Sequence, residues 1–189
     1  ITIAIDGYSS CGKSTMAKAM MSLLGGVTTT SKYETLVKDG RFVFAGKYIE
    51  GSKFGGVDSW GEIKPLQTIV ERLLKKHECV ICEGSKLHSC GPFLQDAIFK
   101  ADKQIVLLCY ASPIELNKRL MKRSGRGVTK EILQDQQACL RALNKWNEMG
   151  VKTLHINTEV LNPEDSAKYL LTQIKELWHT TQAHDGRMK

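Results

Sequence analysis

Apolar residues recur along this chain with two different periods, and the alternation between them outlines the elements. Thr2–Asp6 is a short apolar run ending in a glycine-rich turn. Lys13–Leu24 then places Ala17, Met20, Met21 and Leu24 on one helical face, and Gly25-Gly26 stops it. Val27–Ser31 is β-prone and reads as a second parallel strand. Tyr33–Lys38 and Arg41–Tyr48 flank Asp39-Gly40, a turn dipeptide, and predict an inserted β-hairpin. Gly51–Trp60 reads as an ordered glycine-rich loop, after which Ile63, Leu66, Ile69, Val70, Leu73 and Leu74 return at helical spacing.

Cys79–Glu83 and Gln104–Tyr110 read as buried strands, with a short helix predicted over Pro92–Phe99 between them. Ser112-Pro-Ile-Glu115 is a capping box with proline at the first helical position, so a helix starts there and runs to about Arg123. Ser124–Val128 is a break, and Lys130–Met149 a long helix stopped by Gly150. Thr153–Asn157 is a last strand, and Asn162-Pro163 opens a helix to about Trp178. The expectation is one α/β domain over residues 1–179 and a frayed polar tail over 180–189. Short apolar strands alternating with helices imply a three-layer architecture, a parallel sheet covered on both faces. Ligands of such sheets bind beyond the carboxyl ends of the strands.

Composition changes this picture little. The 189 residues suit a single hydrophobic core, and the apolar and charged fractions of 42% and 25% are ordinary for a globular protein. No apolar run approaches the ~18 residues needed to span a bilayer. The chain begins at Ile1 inside a strand pattern with nothing that reads as a signal peptide, so a soluble cytoplasmic protein with no membrane partner is expected. Among six cysteines, Cys79 and Cys82 form a C-x-x-C, but on a strand they point to opposite faces and cannot grip one metal. The net charge of +7 suits a polyanionic partner, or only the phosphates of a bound nucleotide.

The chemistry lies in Gly7-Tyr-Ser-Ser-Cys-Gly-Lys13-Ser14, a G-x-x-x-x-G-K-[ST] motif between a predicted strand and a predicted helix. In that setting backbone amides curl around a phosphate at the positive end of the helix dipole. Gly7, Ser9, Ser10, Cys11, Gly12, Lys13, Ser14 and Thr15 are thus the candidate ATP-binding residues. Lys13 bridges the β- and γ-phosphates and the Ser14 hydroxyl ligates Mg²⁺. Glu83 ends an apolar strand where a second metal acid belongs; it holds Mg²⁺ through water, acts as a base, or merely caps the next loop. Asp58, in a glycine-rich loop, is either the acid that orients an acceptor hydroxyl or a helix N-cap. Asp6 is read as ordering the P-loop, and His77, His88 and His155 show no partner pattern.

Ile3–Gly7, the strand ending Glu83-Gly84 and the Arg119–Arg126 segment resemble the nucleoside and nucleotide kinase branch of P-loop proteins. The resemblance implies sheet order 2-3-1-4-5 and a short arginine-bearing lid over 119–128. Arg119 would lie on the nucleotide, and Arg123 and Arg126 on the transferring phosphoryl group, unless this is simply a solvated basic helix end. Within that branch, Gly46–Asp58 and the basic charge resemble bacteriophage 5-hydroxymethyluridine DNA kinases. That likeness implies phosphorylation of a hydroxymethyl group on modified double-stranded DNA, in the host cytoplasm if phage-encoded. Residues 32–60 would form the substrate-binding insertion: Lys32, Lys38, Arg41, Lys47 and Lys53 would track the backbone, and Phe54 or Trp60 would stack on a base. A kinase of free nucleosides or nucleotides and a slow ATP-hydrolysing binding module are the competing readings. The acid that many small-molecule kinases carry after the second strand is missing from Val27-Thr-Thr-Thr-Ser31.

Overall fold

The structure is a computed structural model that describes residues 1–49, 55–60, 65–90 and 96–185. Among these residues seven strands form one sheet: β1 (Thr2–Asp6), β2 (Val27–Thr30), β3 (Glu34–Val37), β4 (Phe42–Ala45), β5 (Cys79–Glu83), β6 (Gln104–Tyr110) and β7 (Lys152–Asn157). Their order is β2-β3-β4-β5-β1-β6-β7. All five residues of β1 and all five of β5 are buried. Successive strand residues face opposite ways, so both faces of the sheet centre are covered.

The five parallel strands β4-β5-β1-β6-β7 run in the expected order 2-3-1-4-5, but the full sheet differs from it by two antiparallel strands at one edge, and Val27–Thr30 is not the second parallel strand. Its side chains are largely exposed, and it pairs antiparallel with β3 at the sheet edge. The place beside β5 goes to β4, whose Phe42, Val43, Phe44 and Ala45 are all buried and pair parallel with Cys79–Cys82. A polar run with one wet face suits an antiparallel edge, and only a fully apolar run suits a doubly covered position. β3 and β4 pair antiparallel on either side of Asp39-Gly40, and β4 also pairs parallel with β5.

Five helices complete the described fold: α1 (Lys13–Leu23), α2 (Leu66–Leu74), α3 (Pro113–Ser124), α4 (Lys130–Glu148) and α5 (Pro163–Asp185). The Ser112 hydroxyl accepts the Glu115 amide at 3.2 Å to start α3, and Gly125 in the left-handed region ends it. α1 packs on α5, α2 on β4 and β5, and α4 on β6 and β7. The last helix runs to Asp185, beyond the end expected near Trp178. No helix among the described residues is long and apolar enough to cross a membrane. Ile63, Lys53, Phe54 and part of the helix expected over Pro92–Phe99 lie outside the described residues.

Cys79 and Cys82 are buried free thiols whose pKa burial pushes up to about 12. The parallel strands β4, β5, β1, β6 and β7 all end on one side, at Ala45, Glu83, Asp6, Tyr110 and Asn157. The glycine-rich turn opens there.

Candidate active site

Asp6 ends β1, and its Oδ1 accepts the Gly7 amide at 2.7 Å, which fixes the direction in which the chain leaves the sheet. Gly7 has φ 140°, and a Cβ there would lie 2.4 Å from the Cys109 carbonyl oxygen and 2.7 Å from Cys11 Sγ. Ser10 and Gly12 also take positive φ, of 65° and 99°. These turns bend the loop around a concavity closed by the start of α1, which has no side-chain cap. Helix N-termini leave backbone amides without intrahelical partners, and those amides attract anions. Ser10 Oγ is buried without a hydrogen-bond partner, a condition it shares among the described residues only with Thr2. An orphaned hydroxyl and an uncapped helix start in one concavity fit the phosphates of a nucleotide.

Lys13 is buried, and its Nζ donates to the carbonyls of Gly7 at 2.7 Å and Tyr8 at 2.9 Å. Burial alone would lower its pKa, but Cys11 and the carboxylates of Glu83, Asp58 and Asp6 outweigh it and raise the value, so the ammonium stays charged. Ser14 Oγ donates to Glu83 Oε1 at 2.9 Å, and Tyr48 OH donates to Glu83 Oε2 at 2.9 Å. Glu83 is fully buried; burial raises its pKa, while Lys13, Tyr48 and Ser14 pull it back down. Its two oxygens and the Ser14 hydroxyl are hard oxygen donors that suit Mg²⁺. Tyr48 itself is pushed well above the usual phenol range by burial and by the Glu83 charge.

A backbone approach makes this possible. Gly56 has φ 57°, and a Cβ there would stand 2.2 Å from the Glu83 carbonyl oxygen and 2.7 Å from its Oε2. Next to it, Asp58 sits in the short 3₁₀ turn Gly56–Ser59. Its carboxylate accepts the Ser85 amide at 2.7 Å, the Ser85 hydroxyl at 2.8 Å and the Lys86 amide at 3.2 Å. Asp58 therefore caps the turn after β5 and not the start of α2, where the N-cap position is Pro65.

P-loop residues Ser9, Ser10, Gly12, Lys13, Ser14 and Thr15 line a cleft of about 530 Å³. Tyr48, Asp58 and Ser85 form one wall, and Arg119, Arg123 and Thr158 stand on another. Gly7 and Cys11 lie beneath the loop, with the Cys11 side chain fully buried. The Arg119 guanidinium is tied down by Glu115 Oε1 at 2.8 Å, Thr158 Oγ1 at 2.8 Å and the Thr158 carbonyl at 2.9 Å. Thr158 Oγ1 in turn donates to the Cys11 carbonyl at 2.8 Å, which joins α3 to the P-loop. Arg126 is exposed beyond the αL cap at Gly125 and does not line the cleft.

The expected DNA track divides. Lys32 and Lys47 are exposed at the cleft end of β3 and β4, whereas Lys38 and Arg41 lie around the turn at the opposite end of those strands. Arg41 is paired with Asp39 at 2.8 Å and stands over the Trp178 ring. Trp60 is buried, and its indole donates to the Lys32 carbonyl at 3.0 Å, so its ring is not available to stack on a base. Sequence reasoning missed Tyr48 and Ser85, for which no spacing gave a signal, and His88, which meets Asp6.

No family model matches the sequence, and no curated protein matches it. Solved structures do. The YorR protein of Bacillus subtilis, determined in complex with phosphorylated GDP, aligns over 95% of this chain and 98% of its own with a TM-score of 0.60 at 19% identity. An unliganded sugar kinase from Janibacter sp. HTCC2649 aligns over 92% and 94%, with a TM-score of 0.55 at 16% identity. The chain shares their fold. At these identities the likeness is one of fold, and the chemistry rests on the residues above.

Proposed function

We propose that the protein is a Mg²⁺- and ATP-dependent phosphotransferase, a kinase whose acceptor is a free nucleoside or nucleotide. The observation that carries this is the Ser14–Glu83–Tyr48 chain at the mouth of the P-loop, with Asp58 and Ser85 on the same cleft. On this reading a phosphate cradle and an acceptor wall adjoin one cleft, with Glu83 behind Ser14 and Tyr48. The phosphorylated GDP held by the similarly folded YorR protein supports a nucleotide as acceptor.

Ser14 and Glu83 would hold Mg²⁺, which when bound supplies charge neutralisation on the phosphate oxygens. Lys13 keeps its ammonium charge at the loop, and the P-loop amides and the Ser10 hydroxyl orient the phosphates. Asp58 faces the cleft and takes the role of acceptor base, with the Ser85 hydroxyl holding its orientation. Glu83 is too enclosed for that role, being fully buried, whereas Asp58 lines the cleft. Arg119 forms a fixed wall for the nucleotide, and Arg123 faces the transferring group. Arg126 reaches that group only if the segment after α3 moves.

Duplex DNA carrying 5-hydroxymethyluracil is the second reading, favoured by the net charge of +7 and by Lys32 and Lys47 at the cleft end. Transfer of labelled γ-phosphate from ATP separates the two. The acceptors are nucleosides and nucleoside monophosphates, including the hydroxymethyl forms, and duplex DNA with and without the modified base. Label on free compounds is expected. Label only on modified DNA would overturn the first reading in favour of the second. ATP hydrolysis without any acceptor, unchanged in Asp58→Asn and Glu83→Gln, would leave only a nucleotide-dependent binding module.

A further inference from the structure

Outside the Ser14–Glu83 pair, a different set of donors converges behind the P-loop. His88 Nδ1 lies 3.1 Å from Asp6 Oδ1 and 3.2 Å from Cys139 Sγ. One ligand atom from each of the three falls within 4.8 Å of the other two, the only such group of three or more among the described residues. Asp6 is 4% exposed and Cys139 1%, and the His88 side chain is 5% exposed. The three come from distant segments: the end of β1, the turn Leu87–Cys90 after β5, and the middle of α4.

Hydrogen bonding alone serves this arrangement poorly. Nδ1 carries at most one proton, so it cannot be donated well to the carboxylate and to the sulfur together. A cation at the centre would satisfy all three lone pairs at once. Tetrahedral zinc with ligands at about 2.0–2.3 Å sets neighbouring donors roughly 3.3–3.7 Å apart, so the two spacings from His88 need to open by only a few tenths of an ångström, and the third already lies within 4.8 Å. The far nitrogen, Nε2, lies 4.0 Å from Asp135 Oδ1, and a carboxylate behind a ligating imidazole is the usual means of orienting it.

We infer that Asp6, His88 and Cys139 form a metal site of their own, selective for a borderline divalent cation such as zinc. The donor set decides the class. Thiolate and imidazole favour zinc or cobalt, whereas Mg²⁺ takes oxygen ligands and leaves this site alone. The bound ion would tie α4 to the root of the P-loop through Asp6, whose Oδ1 also holds the Gly7 amide.

Cobalt(II) titration of chelator-treated protein without nucleotide tests it. The expected result is one equivalent bound, with a thiolate-to-cobalt charge-transfer band and the strong visible absorption of a tetrahedral site. Cys139→Ser should abolish the charge-transfer band, His88→Ala should weaken binding at least tenfold, and Cys82→Ser should leave both unchanged. Asp135→Asn, on an exposed side chain and therefore safe for folding, should weaken binding by up to about tenfold. Glu83→Gln should keep the band, which separates this site from the nucleotide's metal. Absence of the band in the wild type, or its survival in Cys139→Ser, overturns the inference.

Discussion

At the scale of single residues, Glu83, buried behind the cleft residues Ser14 and Tyr48, stands among opposing influences. Burial raises its pKa, and the Lys13 charge and the Tyr48 and Ser14 hydroxyls oppose the rise without cancelling it. If Glu83 must be ionised to hold the metal, the acid limb of kcat/KM should lie above the ordinary glutamate value of about 4.3. Tyr48→Phe removes a donor to the ionised form, so that limb should move to still higher pH, read from a pH–rate profile. Stability responds in the opposite sense. A folded-state pKa above the unfolded one means the native protein holds the proton more tightly, so this contribution is present below the unfolded pKa and is lost as pH rises through the folded one. Wild type should therefore lose stability relative to Glu83→Gln over that window, as measured by denaturant unfolding at a series of pH values. Lys13→Ala removes the charge from the phosphate cradle and should lower kcat by on the order of 10²–10³ in a phosphoryl-transfer assay.

Between elements, glycines and one arginine set the geometry. Gly56 lets the 3₁₀ turn lie directly on the end of β5, where any side chain would meet the Glu83 carbonyl at 2.2 Å. Gly56→Ala combines overpacking with a left-handed backbone, at a cost of roughly 3 kcal/mol, and the melting temperature should fall by about 6–12 °C. Arg119 fastens α3 to Thr158 and, through it, to the Cys11 carbonyl. Arg119→Lys loses the planar fork, so KM for ATP should rise about fivefold with a smaller change in kcat, separable in steady-state kinetics. The same elements show what the sequence made legible. The Gly7–Ser14 motif and the buried strand ending at Glu83 were readable because their chemistry is local, carried by spacing and apolar periodicity. The exposed edge at Val27–Thr30 was not, because β propensity does not say which strand a segment will pair with. Tyr48 on Glu83, and His88 between Asp6 and Cys139, were hidden for a related reason. Each contact joins residues 35 or more positions apart, and only the assembled sheet brings them together.

For the whole molecule, the distribution of charge matters more than its sum. A net +7 reads as a polyanion surface only if the cations share a face. The strand pairing sends Lys38 and Arg41 to the end remote from the cleft and leaves Lys32 and Lys47 near it. Two phosphate contacts predict a modest counterion effect: affinity for duplex DNA falling about tenfold between 50 and 200 mM salt, against more than about a hundredfold for four. A free nucleotide held in the cleft by fixed amides and hydroxyls as well as charge should change less than either, because only its own few charges are screened. Measuring KM for acceptor across that salt range, beside filter binding to duplex DNA, checks the assignment. A near-flat KM with weak, salt-sensitive DNA binding is the outcome expected of a free-nucleotide kinase. A steep loss on modified DNA would mean that cations beyond Lys32 and Lys47 meet the duplex, and would return the acceptor to the polymer.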